Sequence, residues 1–266
     1  MSIDVRSLQA FLIDMDGVLY RGDTPVPGMQ EFLGQLVEKD VPHLFLTNNS
    51  SMTPQQYADK LSSMGATASP DRILTSALVT ASHLARTATA DDRVFMVGHV
   101  GLREALIQAR LRLTEDHEEA TCVVAGIDRD LNWEKLSRAT LAIRRGSKFL
   151  GTNGDRTFPT ERGLEPGAGA VLAFLEAASG VKPQIFGKPE PAMFDEALRR
   201  LGTQPSRTAM IGDRYETDIV GASRAGLVTI AVTSGVYDEK HFAAQKPPPD
   251  AVFPSVAEIG AALWGL

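Results

Sequence analysis

Short apolar runs alternate along this chain with stretches whose apolar residues recur three and four positions apart. AFLID (10–14) predicts a strand. Phe32, Leu33, Leu36 and Val37 share one face of a helix predicted from about Gly28 to Lys39. PHLFLTNN (42–49) predicts a strand that ends in polar residues, and Pro54, preset for a first helical turn, opens a helix reaching about Met64. PQIFG (183–187), TAMIGD (208–213) and VTIAVT (228–233) read as further strands. Helices from about Ala192 to Leu201 and from about Thr217 to Ala225, the latter stopped by Gly226, fall between them. These strands are apolar throughout rather than alternating, as in a parallel sheet covered on both faces. The βα repetition points to an open α/β sheet.

The middle of the chain has its own set. RVFMVG (93–98), TCVVAGI (121–127) and KFLGTN (148–153) predict strands, with helices near 101–110 and 132–145. In the second helix Trp133, Leu136, Thr140 and Ile143 fall on one face, Thr140 being its weak member. This segment reads as a small α/β insertion with linkers near 78–82 and 152–157. The expected division is a core over 1–80 and 154–266 and an insertion over 81–153; one continuous sheet is the alternative. QKPPPD (245–250) is a proline-rich loop.

Composition narrows the partners. With 266 residues, 43% of them apolar, the chain is long enough for a large core. Lys and Arg total 27 against 33 Asp and Glu, a net charge of −6, which argues against nucleic acid or an anionic membrane as the main partner. Cys122, the one cysteine, lies in an apolar run and reads as a small buried hydrophobe; no disulfide can form within the chain. MSIDVRSLQAFLID lacks the pattern of a signal peptide, and no apolar run approaches the ~20 residues needed to span a bilayer. A cytoplasmic location is the expectation.

Chemistry concentrates at strand ends. Asp14 and Asp16 end the first strand, Thr47, Asn48 and Asn49 the second, and Gly212 and Asp213 a late one. Open parallel sheets bind ligands at the carboxyl ends of their strands. Two carboxylates that close repel unless a cation sits between them. Asp14, Asp16 and Asp213 together suit a hard cation such as Mg²⁺, which takes carboxylates and phosphate oxygens. Lys188 stands in GKPEP, where a glycine turns the chain and prolines stiffen it; lysine there is surface or a point charge for a phosphate. Asp218 either caps a helix or supports Lys188 or a metal-bound water. Asn153 and Asp155, in GTNGDRTFP, are ordinary turn residues or lie at a substrate or hinge position. GHVGL (98–102) lacks the dinucleotide fingerprint, and no histidine has the partner spacing of a zinc site.

DMDGVLY with LTNNSS, GKPEPAMFDEAL and GDRYETDIVGA, in that order, resembles the haloacid dehalogenase (HAD) superfamily of phosphatases, in the branch of NagD-type, p-nitrophenyl-phosphatase-like and phosphoglycolate-phosphatase-like enzymes. The resemblance covers essentially the whole chain. It implies a Rossmann-like open parallel core carrying an inserted α/β cap of the C2 type. It implies that Asp14 attacks phosphorus and becomes an aspartyl-phosphate, and that Asp16 protonates the leaving alcohol and then activates water. It implies that Mg²⁺ is held by Asp14, the backbone carbonyl of Asp16 and Asp213. Thr47 and the amides of Asn48 and Asn49 are then expected to bind the phosphoryl group, Lys188 to neutralise it, and Asp218 to support Lys188 or the metal. Asn153 and Asp155 fall where relatives carry a similar stretch near the site entrance. Asp16 favours a phosphatase over a dehalogenase, whose leaving group needs no proton. The implied partner is a small phosphorylated metabolite, and relatives of this branch are often homodimers. A phosphotransferase or mutase with the same intermediate, and a non-catalytic sugar-phosphate-binding protein, remain as alternatives.

Overall fold

The computed structural model describes residues 5–160 and 162–265. Strand β1 (Ala10–Asp14) leads into a hairpin of β2 (Tyr20–Arg21) and β3 (Thr24–Pro25), then α1 (Met29–Glu38), β4 (His43–Thr47), α2 (Pro54–Ser63), β5 (Ile73–Thr75) and α3 (Ser76–Thr87). Next come β6 (Val94–Val97), α4 (Val100–Gln108), β7 (Leu113–Thr114), β8 (Cys122–Ala125), α5 (Trp133–Arg144) and β9 (Lys148–Gly151). A hairpin of β10 (Thr157–Thr160) and β11 (Gly163–Pro166) precedes α6 (Ala168–Ser179) and β12 (Gln184–Ile185). The chain finishes with α7 (Pro191–Leu201), β13 (Thr208–Gly212), α8 (Val220–Arg224), β14 (Val228–Val232), α9 (Glu239–Ala244), β15 (Ala251–Phe253) and α10 (Val256–Trp264).

These elements form two compact units. The larger takes the residues up to Thr47, Gln55–Leu74 and those from Lys188 onward; the smaller takes Asn48–Pro54 and Thr75–Gly187. The larger is built on a sheet in the order β15-β14-β13-β1-β4-β5. Strand β1 lies parallel between β13 and β4, and β14 pairs parallel with β13 and β15. Every residue of β1, β4 and β13 is buried, which is why these strands are apolar at consecutive positions. The smaller unit has a second sheet in the order β12-β9-β8-β6-β7, again with parallel pairings. Its core joins Phe95, Val123, Phe149 and their neighbours to Leu136 and Ile143 of α5 and Leu172 and Leu175 of α6.

Several expectations change. PQIFG shortens to β12, which pairs with β9 in the smaller sheet rather than with the core strands. The expected insertion over 81–153 is narrower than the smaller unit, which also holds α3, the β10–β11 hairpin and α6. Trp133 is 73% exposed, so the α5 stripe fails at its first residue. Its ring instead meets Phe174 edge-on, and Ala139 and Ala142 fill the core face beside Leu136 and Ile143. Val37 is 61% exposed at the end of α1. The helix expected from Thr217 begins as a wide turn over Tyr215–Ile219 before α8, and Gly226, at φ 76°, ends it. Cys122 is buried in β8 as expected, and burial pushes its thiol up to about 12. Among the described residues no helix is long and apolar enough to cross a membrane.

Helix α7 carries a testable cluster of one carboxylate and two arginines. Glu196 is buried, and Arg199 and Arg200 reach its Oε1 at 2.7 and 3.0 Å. Burial pushes its carboxyl up, but the hydrogen bonds from Arg199 and Arg200 outweigh that and leave it below its ordinary value of 4.5. A lowered carboxylate contributes stability above its unfolded pKa and loses it as pH falls through the folded one. Glu196→Gln should therefore lower the melting temperature at pH 7, and the gap from the parent should close below about pH 4. Melting curves across pH 3–8 check this.

Candidate active site

Asp14 is the last residue of β1, Asp213 follows β13, and Lys188 begins the larger unit's return after β12. The sheet order sets β1 beside β13, so residues about two hundred positions apart meet at adjacent strand ends. Lys188 is 3% exposed, and its Nζ donates to Asp14 Oδ1 at 2.7 Å and to Asp218 Oδ1 at 2.6 Å. Asp218 comes from the wide turn before α8, and its Oδ2 accepts the Arg214 amide at 3.1 Å. Gly212 allows this approach, because a Cβ there would sit 2.3 Å from that of Asp218.

Asp213 is gripped just as tightly. Its Oδ2 accepts the Val236 amide at 2.9 Å. Gly17, at φ 83°, and Gly235 close on it from two loops; a Cβ would fall 2.3 Å and 2.0 Å from Oδ2 respectively. Ser234 Oγ, donating to Gly17 O at 2.8 Å, ties those loops together. Asp213 Oδ1 is buried without a hydrogen-bond partner.

One ammonium thus faces three buried carboxylates. Oxygens of Asp14, Asp213 and Asp218 lie within 4.8 Å of one another. Burial pushes Asp14 well above the usual carboxylate range, against the pull of Lys188. Asp213 is pushed up to about 6, first by burial and then by Asp218. Lys188 is raised, since the two carboxylates more than offset its own burial, and stays charged. The shortage of positive charge and the orphaned Asp213 oxygen fit a hard divalent cation. Asp16 is half-buried, and its carboxylate is outside the trio. Burial raises its pKa, with Lys60, Lys188 and Arg214 opposing. Thr47, buried at the end of β4, hydrogen-bonds with Tyr57 of α2.

Asn48 and Asn49 belong to the smaller unit. Asn48 Nδ2 donates to Asp155 Oδ2 at 3.0 Å, and its carbonyl accepts from Ser76 Oγ at 2.5 Å and Asn153 Nδ2 at 2.6 Å. Asn153 Oδ1 accepts the Asp155 amide at 3.1 Å, closing a ring of Asn48, Asn153 and Asp155. Asn49 Oδ1 accepts both the amide and the hydroxyl of Ser51, at 2.9 and 2.8 Å. Sequence reasoning missed Ser76, Tyr57 and the Gly235–Val236 backbone. Only the glycine after a strand-end TS, in VTSGV, offered a signal.

Comparison with known proteins identifies the family. The family model of haloacid dehalogenase-like hydrolases matches residues 11–112, and an HAD-hydrolase-like model matches 185–259. The 5'-nucleotidase YutF of Bacillus subtilis is 40% identical, covering 96% of this chain and 98% of its own. The structure of a 4-nitrophenylphosphatase from Thermotoga maritima superposes with a TM-score of 0.91 at 34% identity, covering 98% of this chain and 99% of its own. NagD from Escherichia coli K-12 gives a TM-score of 0.88 at 33% identity, covering 94% and 98%. The chain belongs to the haloacid dehalogenase-like hydrolases, in the branch of NagD and the p-nitrophenyl phosphatases, and is a phosphatase with an α/β cap inserted in a Rossmann-like core.

Proposed function

We propose that this chain is a Mg²⁺-dependent phosphomonoesterase that hydrolyses a small phosphorylated metabolite through an aspartyl-phosphate on Asp14. The observation that carries the reading is the buried Lys188 shared by Asp14 and Asp218 beside the partnerless Asp213 Oδ1. With Oδ1 of Asp14 engaged by Lys188, Oδ2 attacks phosphorus. The bond from phosphorus to the ester oxygen breaks, and Asp16 gives that oxygen its proton. Water then attacks the phosphorus of the aspartyl-phosphate, Asp16 takes the water's proton, and inorganic phosphate leaves as the bond to Asp14 breaks. A carboxyl whose pKa burial has raised holds its proton more readily than a free one, which suits the acid role.

Asp14, Asp213 and the Asp16 backbone carbonyl would hold Mg²⁺, which supplies charge neutralisation for the transferring phosphoryl group. Lys188 orients Asp14 and offsets the same charge, and Asp218 fixes Lys188. Thr47 and the backbone amides of Asn48 and Asn49 bind the phosphoryl oxygens, because the transferring group must be aligned with Asp14 and its charge offset by donors. The segment around 81–153 serves as the cap that selects the substrate. The name of the YutF relative adds nucleoside monophosphates to the substrate classes worth screening.

Asp14→Asn should cost on the order of 10³-fold or more in Mg²⁺-dependent hydrolysis of p-nitrophenyl phosphate, with an unchanged fold by circular dichroism. Wild-type turnover in that variant would remove Asp14 as the nucleophile. Asp16→Asn should lower kcat/KM by about 10² to 10⁴-fold for an alkyl phosphate and far less for p-nitrophenyl phosphate, whose leaving group needs no proton. Equal losses on both would remove Asp16 as the acid. Titration calorimetry should show Mg²⁺ binding weakened by Asp213→Asn more than by Asp16→Asn, which keeps its backbone carbonyl.

A further inference from the structure

We infer that Ser76 and Asn153 are positioning residues for the phosphoryl-binding amide of Asn49, acting through the Asn48 carbonyl, and that Asp155 holds the same loop through the Asn48 side chain. The inference rests on the proposed phosphatase reading and assigns to three residues a task that substrate contact would not explain.

The Asn48 carbonyl and the Asn49 N–H belong to one peptide group. That group is planar and trans, so the two point in opposite directions. Whatever fixes the carbonyl aims the amide. Two donors fix it: the hydroxyl of Ser76 at 2.5 Å and the amide nitrogen of Asn153 at 2.6 Å. Ser76 is fully buried at the first turn of α3, and Asn153 is 3% exposed just beyond β9. Ser76 opens α3 and Asn153 stands two residues past the end of β9, so neither belongs to the loop it holds.

The side chains of the asparagines serve the same end. Asn48 spends its amide nitrogen on Asp155, and Asn49 spends its oxygen on Ser51. The amide of Asp155 returns to Asn153 Oδ1. Gly187 leaves the room for this ring, since a Cβ there would come within 2.7 Å of Asn48 Oδ1 and Asn153 Cβ. Asn48 therefore contributes its backbone to the loop's chemistry and its side chain to the scaffold. One oxygen of Asp155, Oδ2, accepts from Asn48, and that bond is what assigns it a holding role.

The test compares Ser76→Ala, Asn153→Asp, Asp155→Ala and Asp155→Asn. For each, KM and kcat for p-nitrophenyl phosphate, the inhibition constant of inorganic phosphate and the melting temperature are measured. Asn153→Asp keeps the shape and removes the donor. Ser76→Ala and Asn153→Asp should each weaken phosphate inhibition about tenfold and raise KM in parallel, as loss of a buried hydrogen bond predicts. Asp155→Ala should do the same, and Asp155→Asn, whose oxygen can still accept from Asn48, should restore phosphate binding to within about threefold of the parent. Phosphate inhibition unchanged in Ser76→Ala and Asn153→Asp overturns the inference. So does an Asp155→Asn as defective as Asp155→Ala, which would mark the charge itself as the working feature. Asp14→Asn serves as the separate control. If it stays active, the phosphatase mechanism falls; if it is dead while these variants bind phosphate normally, only the positioning inference falls.

Discussion

A buried ammonium surrounded by an excess of buried carboxylates is the constraint on which the larger unit is organised. Lys188 meets Asp14 and Asp218 directly, and Asp213 stands close to both carboxylates. Uncompensated charge is costly away from water, so each group needs a defined partner. The backbone supplies them: the Val236 amide for Asp213 and the Arg214 amide for Asp218. Glycines at 17, 212 and 235 let loops close to distances that any side chain would forbid. Parallel strands bring these loops to one edge, because β13 and β1 are neighbours in the sheet.

The asparagine loop in the smaller unit solves a different problem. On the proposed reading it presents backbone donors to the phosphoryl group. It does so with side chains that turn inward to each other and to the ends of α3 and β9. Both clusters reach precision through hydrogen bonds to backbone rather than through side-chain bulk.

Much of this was legible from the order of residues. Acidic and amide groups at the ends of uniformly apolar strands pointed to Asp14, Asp213 and Thr47, because the carboxyl edge of a parallel sheet is where such groups converge. For Lys188 the glycine and proline neighbours left surface and site equally open, and only the ordered set of motifs favoured the site. Ser76 was not legible, because a serine opening a helix reads as an ordinary terminus, and its partner is a backbone carbonyl that no pattern shows. Trp133 misled because a helical stripe takes no account of the element's end, where the first residue projects past the core. The strand at PQIFG was visible, but its sheet was not, since two parallel sheets of similar composition in one chain leave membership to pairing alone.

The position of Cys122 has a consequence for how such an enzyme meets oxidants. Phosphatases that attack phosphorus with a thiolate are silenced when that sulfur is oxidised, and susceptibility follows thiolate character and exposure. This chain places its only sulfhydryl inside β8, 1% exposed and with its pKa pushed up to about 12, and puts a carboxylate at the end of β1. A carboxylate has no comparable oxidation ladder. With Asp14 as the nucleophile, as proposed, peroxide that silences thiolate enzymes leaves the attacking group unchanged.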